Sequence, residues 1–391
     1  MKKLLTFFLI SSVFMLLLGA CSADYSSIEQ YIATPLPIET SRLPSETLNN
    51  SADSDVQQGF APFAGITYEI MSRFADEIRS EFNFNVDISA IIIDIKNNRL
   101  IVSYGDANKF TNANYVFWPI SAAIMVSEYG LDIHNEFDNT PYVLVNGYEI
   151  WSAIPPSRQE EFYVGRSSLF QGILDSNFSA FYHAFQVEDP SLFFNLLEKL
   201  NLERYVERPD IDEMRLYMRP IVGDLLVSPL EIALLYSAIA NGGRLFADVD
   251  TCEYKQVFDV YSTELVIEVL NYHMESMDNN WNTFALIREM PFFESFRSQM
   301  IGNVSSHFGF NNYEANIWGG WFVGLYPAEA PAYLMVINTS YCSWDAMDSH
   351  RDYPYSVPRV FPGPAFALAM AYHVYEYFVS EAVICTVLST Q

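Results

Sequence analysis

The sequence predicts an α+β fold: an antiparallel β-sheet flanked by helices, with a helical insert between its early and late strands. Three observations predict it. The β-branched run "DISAIIIDI" (87–95) and the run "RLIVSY" (99–104) flank the turn pair Asn97-Asn98, which is the pattern of a hairpin. Residues 165–245 carry apolar side chains at helical spacing, the mark of packed helices. "NIWGGWFVGLY" (316–326) and "AYLMVINTS" (332–340) then flank the turn "PAEAP", giving two late strands for the same sheet.

Each element follows from its own residues. Ile66, Ile70, Phe74, Ile78 and Phe82 stand four apart, so 63–82 reads as a helix ahead of the hairpin. The stretch 119–129 reads as a second helix, with Pro119 in its first turn where a missing N–H costs nothing. In the insert, "SSLFQGILDSNFSAFYHAF" (167–185) and "PSLFFNLLEKLNLERY" (190–205) are periodic. "SPLEIALLYSAIANGG" (228–243) carries its own start and stop: Ser228 as cap, Pro229 in the first turn, Gly242-Gly243 after the end. "PAFALAMAYHVYEYF" (364–378) closes the chain as a helix.

The first twenty residues read as an export signal. Lys2 and Lys3 precede an apolar run, Leu4 to Leu18, shorter than the ~20 residues that cross a bilayer. It ends in Leu18-Gly19-Ala20-Cys21, which resembles the lipobox of bacterial lipoproteins. That resemblance implies lipidation of Cys21 and anchoring at the outer face of the cytoplasmic membrane. Residues 21–62 are rich in Ser, Thr, Pro, Asn and acids, with Arg42 their only basic residue. Such a segment buries too little apolar surface to offset chain entropy. It reads as a tether of roughly 35 Å root-mean-square span.

The formal charge is −27. Phosphate neutralisation needs clustered Lys and Arg, so general nucleic-acid binding is excluded. Cys252, Cys342 and Cys385 are widely spaced and no C-x-x-C occurs, so neither a zinc site nor a disulfide scaffold is indicated, and at most one disulfide joins two of the three. The 61 aromatic residues (30 Phe, 25 Tyr, 6 Trp) point instead to a large packed core.

Four segments, in order, resemble the transpeptidase domain of penicillin-binding proteins, which shares its fold with the serine β-lactamases. "MRPIVGDLLVSPLEIALLYSAIANGGRLF" (218–246) is similar to the family's segment ending in A-N-G-G, and "GGWFVGLYPAEAPAYLMVI" (319–337) to the strand pair after its third motif. "DISAIIIDIKNNRLIVSYG" resembles the opening hairpin, and "LFQGILDSNFSAFYHAF" the helix of the second motif. The resemblance covers residues 63–380 and implies one β-lactamase/DD-transpeptidase-like domain over 63–391, without the extra N-terminal modules many members of the family carry.

The family's catalytic motifs are degenerate here. Its S-x-x-K puts a nucleophile and a lysine base on one helix face. Anchored on Pro119, the positions fall on Tyr115 and Trp118. The later lysines are Lys96, Lys109, Lys199 and Lys255, and no serine stands three before any lysine. Cys252 stands three before Lys255, which on a helix offers a thiol beside an amine, but far from the motif's place in the chain. The second motif, S-x-N, falls on Asp175-Ser176-Asn177; the third, K-T-G, on Asn303-Val304-Ser305, or in a shifted register on His307-Phe308-Gly309.

No replacement chemistry emerges. None of the six histidines forms H-E-x-x-H, and there is no Gly-rich phosphate loop. Asp345, Asp348, His350 and Asp352 lie within "DAMDSHRD" in a spacing that matches no metal loop, so the stretch reads as an exposed acidic loop. No cofactor and no metal is expected. The resemblance implies a catalytically inactive lipoprotein that binds or scaffolds in cell-envelope assembly, with an envelope protein or a peptidoglycan fragment as partner. Two alternatives stay open: an active transpeptidase or carboxypeptidase with an unrecognised nucleophile, and a non-covalent sensor of β-lactam or stem peptide.

Overall fold

The computed structural model describes residues 67–76, 86–140, 142–145, 148–151, 165–174, 179–187, 195, 197–202, 225–276, 292–311, 315–342 and 366–376. Cys21, the tether, Asp175–Asn177, the acidic loop around His350 and Cys385 lie outside them.

A helix over 67–76 (α1) precedes the hairpin β1 (Val86–Asp94) and β2 (Arg99–Tyr104). Short strand β3 (Thr111–Asn112) leads into a 3-10 turn, Asn114–Phe117, and helix α2 (Trp118–Tyr129). The insert follows: β4 (Glu136–Asp138), β5 (Tyr142–Val145), β6 (Tyr148–Trp151), β7 (Arg166–Ser168), α3 (Leu169–Leu174) and α4 (Ser179–Val187). Next come β8 (Leu226–Val227), α5 (Pro229–Ala240), β9 (Arg244–Phe246), β10 (Tyr254–Gln256) and α6 (Val260–Ser276). The chain continues through α7 (Phe293–Gln299), β11 (Ile301–Asn311), β12 (Ala315–Tyr326), β13 (Tyr333–Cys342) and a helix over 366–376 (α8).

One five-stranded antiparallel sheet organises these elements, in the order β11-β12-β13-β1-β2. The early hairpin and the late strands share it, as their patterns predict. Side chains alternate across a strand, and here the alternation sorts them into two cores. Ile91, Ile93, Ile301, Trp321, Val323, Leu325, Leu334 and Val336 face α2, α5 and most of α6. Ile88, Ala90, Ile92, Val304, Phe322, Met335 and Ile337 face α1, α7 and α8.

Two helices lie largely inside the first core. Every residue of α2 from Trp118 to Val126 is buried, as are eight of the twelve in α5. Apolar surface on all sides is the signature of a central helix. The Ser228 cap of α5 forms as the sequence implies, with Glu231 closing a reciprocal capping box. Gly130 at +65° stops α2 in the left-handed conformation.

Candidate functional site

The site lies where the edge strand β11 meets the turn Asn114–Phe117. Asn112 prepares that turn: its side-chain oxygen accepts from the Asn114 N–H at 3.0 Å. Asn114 itself holds φ +44°, a left-handed backbone that Asn tolerates better than most residues. The chain then enters α2 through Pro119 in the first helical turn, so Tyr115 and Trp118 stand three residues apart on one face.

Trp118 is 1% exposed, in the innermost part of the first core. The Tyr115 ring packs edge-on against it, with centroids 4.7 Å apart and planes at 89°. Phe181 of α4 closes the other side at 5.3 Å. Such contacts add to area burial, which already makes an indole one of the strongest apolar anchors. Tyr115 is only partly buried, yet desolvation raises its phenol above the ordinary tyrosine value. Among the described residues no hydrogen bond reaches its hydroxyl, so nothing there accepts its proton.

Beneath the turn, α5 and β11 build a hydrogen-bonded floor. The Tyr236 hydroxyl donates to the carbonyl of Val116 at 2.7 Å. The amide of Asn303 donates to the carbonyl of Tyr115 and to the Tyr236 hydroxyl, both at 3.3 Å. Burial pushes the Tyr236 phenol up strongly, with the Asn303 hydrogen bond working the other way. Trp321, opposite Ser305 in the β11–β12 register, donates through its indole to the carbonyl of Asn112 at 3.1 Å. Ser305 is 2% exposed and, among the described residues, its hydroxyl has no hydrogen-bond partner. Val304 between them faces the second core.

The structure therefore brings Tyr115 and Trp118 together with Asn303 and Ser305, and turns Val304 away. Asp175, Ser176 and Asn177 fall between α3 and α4, outside the described residues. His307-Phe308-Gly309 continues β11, where the backbone alone is described. The sequence reading missed Tyr236, Trp321 and Phe181. Their signal was present: Trp321 shares the face of Val323, and Tyr236 stands inside the predicted helix 228–243. One alternative is corrected. Tyr254–Gln256 is a strand and Cys252 lies in an exposed loop with a free thiol. On extended backbone Cys252 and Lys255 do not share the helix face their spacing offered, and the Lys255 amine bonds to Asn201 at 2.8 Å.

Lysine placement limits what the site can do. Lys96, Lys109, Lys199 and Lys255 are all exposed. Lys109 pairs with Asp87, and Lys199 with Glu128 at 3.4 Å. A lysine base must be desolvated to shed its proton near neutral pH, and none of these is. Among the described residues no group of three His, Cys, Asp or Glu is placed to hold a metal ion. No described helix is long and apolar enough to cross a membrane.

No family model matches the chain, and no curated protein matches it in sequence. Solved structures do match in fold. The apo transpeptidase domain of penicillin-binding protein 3 from Burkholderia pseudomallei aligns with TM-score 0.58 at 14% identity, covering 80% of this chain and 95% of that one. Penicillin-binding protein 3 from Mycobacterium tuberculosis, complexed with aztreonam, aligns with TM-score 0.57 at 13% identity, over 80% of this chain and 78% of that one. A peptidoglycan synthetase from Bifidobacterium adolescentis aligns with TM-score 0.58 at 12% identity, over 81% of this chain and 60% of that one. Edge strand, buried helix and helical insert thus assemble in this chain into the α+β fold of the penicillin-binding protein transpeptidase domains.

Proposed function

We propose that this chain is a catalytically inactive penicillin-binding-protein-like lipoprotein that binds or scaffolds in cell-envelope assembly. Cys21 anchors it at the outer face of the cytoplasmic membrane, and the tether sets its reach. Tyr115 and Trp118 stand at the positions of the family's nucleophile and base, Asp175, Ser176 and Asn177 at its second motif, and Asn303-Val304-Ser305 at its third. One observation carries the reading: the base position holds a fully buried indole while every lysine after residue 3 is exposed. An indole cannot take the nucleophile's proton. Loss of both groups costs on the order of 10⁶ in turnover by analogy with serine hydrolases.

The test is covalent labelling. The purified full chain is incubated with a fluorescent penicillin at high concentration and its intact mass measured. An unchanged mass is expected. A gain of one drug mass would overturn the reading, and peptide mapping would then locate the nucleophile.

The Ser305 hydroxyl, without a hydrogen-bond partner among the described residues, favours a second reading. A buried donor left unsatisfied costs free energy that a bound polar group recovers, so the site could sense β-lactam or stem peptide without acylation. Saturable thermal stabilisation by either, with unchanged mass, would mark it. Ligand-independent melting would exclude it.

A further inference from the structure

The outer face of α6 carries a concentration of exposed aromatic surface that the candidate site does not use. Among the described residues seven large hydrophobic side chains are exposed, and three of them, Val260, Tyr261 and Tyr272, belong to this one helix. At 3.6 residues per turn, Tyr261, Glu264, Glu268, Tyr272 and Glu275 fall within an arc of about 80°. The opposite side of the helix (Val266, Val269, Leu270, His273) is buried against the core. The stripe is therefore a surface left over after folding, with Glu264 and Glu268 between its two tyrosines and Glu275 beyond the second.

Its surroundings fix its charge. Among the described residues no Lys or Arg pairs with Glu264, Glu268 or Glu275. His134 stands 4.0 Å from Glu268. Asn271 donates to Glu275 at 3.3 Å. Phe170 extends the aromatic surface, 5.6 Å from Tyr272 and 4.9 Å from the ring of His134.

We propose that this face docks a basic amphipathic segment of a partner protein. Tyr261 and Tyr272 serve as anchors, a role tyrosine fills at interface centres, and the glutamates select Lys and Arg while steering their approach. A second copy of this chain is disfavoured by its own −27 charge. The proposal deepens the scaffolding reading and rests on it only in that the chain works by binding. Penicillin labelling tests that reading at the site, so either can fail alone.

The probe is a fluorescein-labelled peptide, (Leu-Lys-Lys-Leu-Leu-Lys-Lys)₂, titrated into the full chain by anisotropy at two salt concentrations. Its counterpart with Glu for Lys is the negative control. Tyr261→Ala with Tyr272→Ala, and separately Glu264, Glu268 and Glu275→Gln, should each weaken binding about tenfold or more, the range of interface hot spots. Glu69, Glu253 and Glu329→Gln removes the same charge from other exposed positions and should change Kd less than about twofold by the modest worth of scattered surface charges. Tyr261→Ala alone guards against misfolding, since the side chain is 56% exposed and outside both cores. Equal losses in the stripe and control variants would overturn the proposal, as would an absence of saturable peptide binding. Self-association of the chain that Tyr261→Ala abolishes would also overturn it, because a second copy would then cover the face.

Discussion

The side-chain amide of Asn303 donates to the carbonyl of Tyr115 at 3.3 Å, joining residues 188 apart in the chain. The same amide reaches the Tyr236 hydroxyl, so one side chain fixes the edge strand to both the turn and the central helix. Asn303→Leu keeps the size, buries no new donor, and removes one hydrogen bond from each of two groups that keep another: the Tyr115 carbonyl still accepts from the Trp118 N–H, and the Tyr236 hydroxyl still donates to Val116. We expect a loss of about 1–3 kcal/mol, two hydrogen bonds at about 0.5–1.5 kcal/mol each. Urea unfolding monitored by tryptophan fluorescence would measure it; a change below about 0.5 kcal/mol, the range of ordinary surface substitutions, would show that the bridge is incidental.

Trp118 makes the sharper forecast. Trp118→Ala should cost about 3–5 kcal/mol, because the indole sits between Tyr115 and Phe181 with no solvent to refill its space. Restoring the family's residues with Tyr115→Ser and Trp118→Lys should destabilise further, since a lysine there would be desolvated without a described acidic partner. Penicillin labelling of that double variant should stay absent. Labelling at Tyr115→Ser would show that the rest of the catalytic frame is intact.

Much of the fold was legible because its periods are clean. The β-branched run of 87–95 beside the turn pair Asn97-Asn98 gave the hairpin, and Ser228-Pro229 with Gly242-Gly243 bounded α5 to the residue pair. The Tyr115–Trp118 pairing was legible too, from Pro119 and the three-residue spacing. Other parts were not. Helix α6 escaped notice because its buried stripe is mixed, with Ser262, Thr263 and His273 among the apolar residues. The floor beneath the turn required Asn303 and Tyr236 to meet across 67 residues, and no local pattern encodes such a distance.

The end of α5 supplies a backbone test. Gly243 holds φ +91°, and an added Cβ would lie 2.0 Å from the carbonyl oxygen of Phe258. Gly242 is also left-handed at +73°, but its Cβ would meet only a Val260 methyl at 3.7 Å. Gly242→Ala should therefore cost about 1 kcal/mol, the strain of the conformation alone. Gly243→Ala must also displace the backbone at Phe258, between β10 and α6, and should cost at least about 3 kcal/mol, within the range of severe backbone mutations. Thermal melts of the two variants would rank them; similar Tm values would contradict the argument.

Acid should weaken the fold through His273. This residue sits on the buried side of α6, where desolvation lowers its pKa from 6.5 to about 4 against an opposing hydrogen bond with the Val304 backbone. Between those values the unfolded chain binds a proton that the folded chain refuses. Stability is therefore full above pH 6.5 and falls as the pH drops towards 4, by an amount on the order of 3 kcal/mol. His273→Leu removes the titrating group, so its unfolding free energy should fall less steeply from pH 7 to pH 5 than that of the parent. Denaturant unfolding at the two pH values measures both slopes. Equal slopes would mean that the carboxylates, not His273, set the acid limit of this fold.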